Sequence, residues 1–150
     1  MIDETSMKIL KILQEKARIP NVEVARQVGM APSAVLERIR KLEKLGYIDG
    51  YEVRLNPEKF DCNLVAFVHV TVQPPEPNDT VGQALAEIPE VLEVHYVTGE
   101  DSYLVKLRVS DARGLGTLVK EKIAGIAKVT STRTAIAMRT LKETWRIPIE

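Results

Sequence analysis

Residues 22–51, VEVARQVGMAPSAVLERIRKLEKLGYIDGY, decide how this chain is read. Val24, Ala25 and Val28 recur at helical spacing, and Gly29 suits the left-handed conformation that ends a helix. Met30-Ala31 makes a turn. Pro32 fits the first position of a further helix, because its φ is already helical. That helix is expected over 32–45, with Val35, Leu36, Ile39, Leu42 and Leu45 as its apolar stripe. Ser33, Ala34, Glu37, Arg38, Arg40, Lys41 and Lys44 lie off the stripe. Gly46 stops the helix, and Tyr47–Tyr51 reads as strand, turn and strand, a small wing. Two short helices joined this way can set the second into the major groove of DNA.

Upstream, Ile9, Leu10, Ile12 and Leu13, extended by Met7 and Ala17, mark an amphipathic helix over 3–17. Asp3, Glu4, Thr5 and Ser6 offer capping groups and negative charge at its start. Ile19-Pro20 ends it, since a residue before proline avoids the helical region. Asn21 is expected to cap the second helix. The result is a three-helix unit with a cationic third helix. Small Ser33 and Ala34 allow close approach to base edges. Arg38 and Lys41, one turn apart, are expected to dominate the contacts, with Arg18 and Arg40 as candidate phosphate ligands. Asn21 and Glu37 complete the candidate DNA-facing set.

Downstream, 53–63 reads as a linker. Leu64–Gln73 is a strong strand, broken by Pro74, Pro75 and Pro77. A helix follows over Thr80–Ile88, then strands over Val91–Thr98 and Tyr103–Ser110. A second helix runs to about Ile123, and a last strand covers about Val129–Thr140. The order β-α-β-β-α-β predicts an α+β ferredoxin-like domain over 64–150, after a winged helix-turn-helix over 1–52. Strand 64–73 carries Leu64, Ala66, Val68, Val70 and Val72 on one side and Val65, Phe67, His69 and Thr71 on the other. Both sides are apolar enough to predict that the second sheet face packs on another subunit.

Composition narrows the function. The net charge is zero and 45% of residues are apolar, so a core can form and any DNA surface must be local. Residues 1–60 hold 11 Lys and Arg against 9 Asp and Glu; residues 61–150 hold 10 against 12. The excess of positive charge therefore falls on the helix-turn-helix. Cys62 is the single cysteine and is expected to be a buried structural thiol. The start MIDETSMK is polar, and no apolar run nears the roughly 20 residues that span a bilayer, so a cytoplasmic protein is expected, with no membrane partner. His69 and His95 both fall in strands without a nucleophile or paired acid nearby. Gly114-Leu115-Gly116 lies in a helix and lacks the Lys-Ser/Thr of a phosphate loop. No enzyme, metal site or cofactor is expected.

These pieces together resemble the Lrp/AsnC family, the feast/famine regulators. The landmarks are D-x-x-x-M-K-I-L at the start, then R-I-P-N-V-E-V-A-R-Q-V-G-M and P-S-A-V-L-E-R-I-R-K-L-E-K-L-G-Y-I-D-G-Y. They continue with L-N-P, H-Y-V-T-G-E-D-S-Y-L-V-K and T-S-T-R-T, and span essentially the whole chain. The resemblance implies a nucleoid-associated transcription regulator that binds double-stranded DNA as dimers assembling into octamers or larger discs. It also implies an effector, usually an amino acid, held between subunits near the loop joining the second and third strands. Here that loop is Gly99, Glu100, Asp101, Ser102 and Tyr103, and the same matching sets Thr132, Thr134 and Ile136 near the pocket. Glu100 or Asp101 would accept from an ammonium. Backbone N–H groups around Gly99, or the threonine hydroxyls, would serve a carboxylate.

Two departures stand out. Ala31 occupies a position where relatives often cap the recognition helix with Ser or Thr, a cap that typically contributes about 1 kcal/mol. Ser102 stands where many relatives carry a carboxylate before the aromatic. The expectation is a ligand-responsive DNA-binding regulator. The alternative is a metabolite-sensing assembly protein whose DNA module is vestigial.

Overall fold

The computed structural model describes residues 2–150. They fall into two compact units. One comprises the chain up to Arg54 together with Lys142–Glu150, and the other comprises Leu55–Leu141. The terminal segment therefore groups with the helices rather than with the sheet domain expected over 64–150. Its ties are polar. The Gln14 side-chain amide donates to the Ile147 carbonyl at 2.8 Å and accepts from the Ile147 N–H at 2.9 Å. The Arg146 guanidinium lies 3.0 Å from the Glu15 carboxylate.

In the first unit, α1 spans Glu4–Glu15, α2 Asn21–Val28 and α3 Pro32–Lys44. Asp3 caps α1, its carboxylate accepting from the Ser6 N–H at 2.8 Å. Pro20, not Asn21, is the N-cap of α2, and Asn21 is already helical. Proline's fixed φ serves the entry and leaves Asn21 to start the helix. Gly29 ends α2 in the left-handed region, at φ 70°. Ile9, Leu13, Val24, Ala25, Val35, Ile39 and Leu42 form the core. Ile9, Val24 and Val35 are fully buried, each worth roughly 1.5–3 kcal/mol of transfer free energy. Leu36 and Leu45, expected in the apolar stripe, are exposed instead. The buried residues follow a 4-then-3 spacing, which leaves room for one row only.

The winged helix-turn-helix class holds, but Tyr47–Tyr51 has no ladder pairing among the described residues. A strand is held by a partner strand, and none lies beside it. The Tyr51 hydroxyl donates to Glu43 Oε1 at 3.0 Å and so ties this segment back to α3. Burial and the facing carboxylate push that phenol up to about 12.

The second unit carries β1 Leu64–Val72, α4 Thr80–Ala86, β2 Val91–Val97, β3 Ser102–Val109, α5 Ala112–Leu118 and β4 Val129–Ile136. A π-helical turn, Val119–Ile123, extends α5. Strand order is β2-β3-β1-β4 with every neighbour antiparallel, the ferredoxin-like arrangement. Val68 and Val70 of β1, Val105 and Leu107 of β3, Leu85 of α4 and Ile123 are buried together. The other sheet face is mixed rather than apolar. Phe67 faces Lys106 and Ala135, and His69 faces Leu104 and Arg133. Glu93 sits 3.3 Å from Lys106 and 2.9 Å from His95 on the same face. Cys62 lies in the linker, only half-buried, with its thiol donating to the Phe60 carbonyl at 3.3 Å. No described helix is long and apolar enough to cross a membrane.

Candidate functional site

Helix α3 follows α2 through Gly29, Met30 and Ala31. Its first turn has no side-chain cap, because Ala31 carries no acceptor. The Ala31 carbonyl accepts instead from Ala34 and Val35 N–H at 3.0 and 3.1 Å. With about 100° between successive residues, Ser33, Glu37, Arg40, Lys41 and Lys44 share the side opposite the core, and Leu36 lies at the edge of that side, next to Ile39. All six are exposed. Ala34 is half-buried on the flank. Arg18 is exposed in the turn before α2, and Asn21 is half-buried at its first position.

Arg38, expected to lead the DNA contacts, is turned elsewhere. Its guanidinium lies 2.5 Å from the Asp3 carboxylate and 3.1 Å from the Ser6 hydroxyl. Helical geometry explains this: Arg38 falls on the flank facing the start of α1, where the Asp3 carboxylate waits. That hydrogen bond, helped by the Ser6 N–H, holds the Asp3 carboxyl well below the usual carboxylate range. Arg26 is likewise engaged, with Glu23. Arg40, Lys41 and Lys44 make no ion pair among the described residues. Lys44 lies outside the DNA-facing set expected from sequence; its place off the apolar stripe, eleven residues after Ser33, is the signal that could have found it.

The effector candidates divide. Gly99 and Glu100 sit in the turn after β2. Asp101 lines a cleft of about 310 Å³ with Val72, Pro74, Glu76, Asn78, Asp79 and Tyr96. The Tyr96 hydroxyl donates to Asp101 at 2.9 Å, and its ring meets Tyr103 edge-on at 5.2 Å between centroids. Tyr103 is buried beneath α4. Its hydroxyl lies 2.7 Å from both Glu76 and Asp79, and its single proton serves one of them at a time. Burial first, then the two carboxylates, hold this phenol far above its ordinary value. Gly82 makes the approach possible, since a Cβ there would stand 2.6 Å from the Tyr103 ring. Ser102 is buried, opposite Thr71.

Thr132, Thr134 and Ile136 are not brought to this cleft. They lie on edge strand β4, on the far side of β1, with Thr132 and Tyr103 both opposite Val70. Two strand spacings, about 10 Å, separate those backbones. Glu76, Asp79 and Tyr96 were missed by sequence reasoning. They come from the Pro-rich connection and from β2, and no local periodicity links them to the loop.

An N-terminal helix-turn-helix with an exposed cationic face, joined to a ferredoxin-like domain with a polar cleft, defines a class: a DNA-binding regulator with a sensing domain. Comparison with known proteins agrees. Residues 2–49 match the winged helix-turn-helix DNA-binding model, and residues 65–147 match the Lrp/AsnC ligand-binding domain. The leucine-responsive regulatory proteins of Escherichia coli K12 and Klebsiella pneumoniae are each 36% identical over 99% of this chain and 92% of theirs. A transcriptional regulator of Neisseria meningitidis, solved with L-Met, superposes with a TM-score of 0.93 at 29% identity, over 99% of this chain and 97% of that one. The feast or famine regulatory protein of M. tuberculosis, complexed with L-methionine, gives 0.88 at 33% identity, over 98% and 99%. The chain belongs to the Lrp/AsnC family. It is a DNA-binding transcription regulator, not an enzyme.

Proposed function

We propose that this regulator docks α3 in the major groove and that an amino acid bound in the sheet domain modulates that docking. The observation that carries the first half is the run of unpaired cations Arg40, Lys41 and Lys44 along the exposed stripe of α3. In this reading Ser33, Ala34 and Glu37 face base edges, Arg40, Lys41 and Lys44 face phosphates, and Arg18 and Asn21 meet the backbone beside them. Arg38 acts from behind, by fixing α3 against α1. The protein works on the nucleoid as dimers or larger assemblies, with two recognition helices reading half-sites about one helical turn apart, or a multiple of it.

The cleft beside Asp101 supports the second half. Asp101 accepts from the effector's ammonium, with Tyr96 orienting that carboxylate, while Gly99 and Glu100 shape the mouth. Ser102 and Tyr103 support the loop from beneath. Thr132, Thr134 and Ile136 complete the pocket from a neighbouring copy. Two relatives solved with methionine, and others named for their response to leucine, favour an amino acid with an aliphatic or thioether side chain. The test is to measure operator affinity and sedimentation with each of the twenty L-amino acids. At least one should change either quantity. If none does, the sensing half is wrong; if no duplex shifts the protein in a gel, the DNA half is wrong.

A further inference from the structure

The exposed stripe of α3 is not uniformly suited to a polyanion. Two of its six members carry no positive charge and no small hydroxyl. Leu36 is 37% exposed at the edge of an otherwise polar face, while Val35, Ile39 and Leu42 already fill the space beneath. Glu37 is exposed and makes no ion pair among the described residues, although Lys41 stands at the i+4 position where such pairs form. A carboxylate on a surface turned to phosphates is repelled unless it meets hydrogen-bond donors. In the major groove those donors are the exocyclic amines of the bases, and the usual partner of a glutamate is cytosine N4. An exposed aliphatic side chain has one matching feature in the same groove, the thymine methyl.

Position supports the assignment. Both residues lie in the first two turns of α3, the part of a recognition helix that reaches base edges. Arg40, Lys41 and Lys44 follow toward the C-terminal end, where they can hold phosphates and also suit the negative pole of the helix. Arg38, the other long cation of this helix, is committed to Asp3. We infer that Leu36 and Glu37 determine sequence specificity: Leu36 packs on a thymine methyl and Glu37 accepts from cytosine N4, on neighbouring base pairs of each half-site. This rests on the docking of α3 proposed above and adds which chemistry it reads.

The experiment uses the full-length protein and a random duplex library. Wild-type protein should select half-sites with a C·G pair beside a T·A pair. Glu37→Gln should lose at least about fivefold of the preference at the C·G position. Its affinity for random-sequence DNA should hold or rise, because a repelled charge is gone. Replacing the selected thymine with deoxyuridine, which lacks only the methyl, should weaken wild-type binding severalfold and leave Leu36→Ala indifferent. Glu37 is exposed, so its variant should melt with wild type; Leu36 is 37% exposed, so Leu36→Ala is compared below its own melting transition, which separates specificity from folding. An unchanged consensus for Glu37→Gln, or no deoxyuridine penalty for wild type, overturns the inference while DNA binding stands. Failure of wild type to bind any duplex overturns the docking itself.

Discussion

The two candidate sites of this chain are built in opposite ways. The face of α3 comes from one continuous segment of thirteen residues, Pro32–Lys44. The cleft beside Asp101 comes from the end of β1, the Pro-rich connection, β2 and the turn before β3. Side chains on the helix face are exposed and largely independent, so a change there should alter binding and spare folding. Those around the cleft are tied through Tyr103 to the domain core, so a change there should alter both.

The hardest push on that contrast is Gly82→Ala. The added methyl meets the Tyr103 ring at 2.6 Å, inside van der Waals contact. Overpacking of this kind costs about 1–3 kcal/mol, offset in part by up to about 1 kcal/mol of helix propensity. Denaturant unfolding should show the loss, and amino-acid response should fall with it. Equal stability would show that α4 slides freely over Tyr103. Tyr103→Phe removes the hydroxyl shared by Glu76 and Asp79 and should cost about 1 kcal/mol. The same unfolding measurement checks it, together with any weakening of effector binding.

On the helix side, Arg40→Ala with Lys44→Ala should weaken all duplexes alike. Each lost phosphate contact should flatten the log–log salt slope by about 0.9. Thermal stability should stay within about 0.5 kcal/mol; a larger drop would mean the stripe belongs to the fold. Ala31→Ser tests the uncapped start of α3. A restored cap should add about 0.5–2 kcal/mol of stability, read from the melting of the helical unit.

The smallest effect is in acid. Arg38 and the Ser6 N–H depress the Asp3 carboxyl, and Arg26, with Gln27, draws Glu23 down to about 2. A depressed carboxylate adds stability above the unfolded value near 4 and loses it as pH falls toward the folded value. Stability should therefore decline on acidification from about pH 4 toward pH 2. Both ion pairs are open to solvent on one side, so salt should shrink the effect. Arg38→Ala should reduce Asp3's share of that decline, leaving the part due to Ser6, and leave sequence preference on DNA intact. A changed consensus would return Arg38 to the reading face.

The elements themselves were legible because their signals are local. Gly29 and Pro32 bound the turn, and the spacing of Val35, Ile39 and Leu42 marks the buried side of α3. The β-α-β-β-α-β order followed from strand and helix patterns alone. The ion pair of Arg38 was not legible, because a side chain on a helix flank answers to whatever lies across from it. Here that is Asp3, 35 positions earlier. The expected wing failed as a strand because pairing belongs to two segments, and Tyr47–Tyr51 has no second segment among the described residues.

By itself, then, the sequence determined the two-unit α+β plan, the helix-turn-helix and a local excess of positive charge. These depend on periodicity, turn chemistry and caps, which act over a few residues. Only the tertiary structure decided which cations remain unpaired on α3 and that Glu76, Asp79 and Tyr96 join Asp101 around one cleft. It also decided that Tyr103 lies under Gly82 and that the last nine residues return to α1. Those outcomes depend on contacts between distant segments. Coulomb attraction, steric fit and hydrogen bonding select them only once the chain has folded.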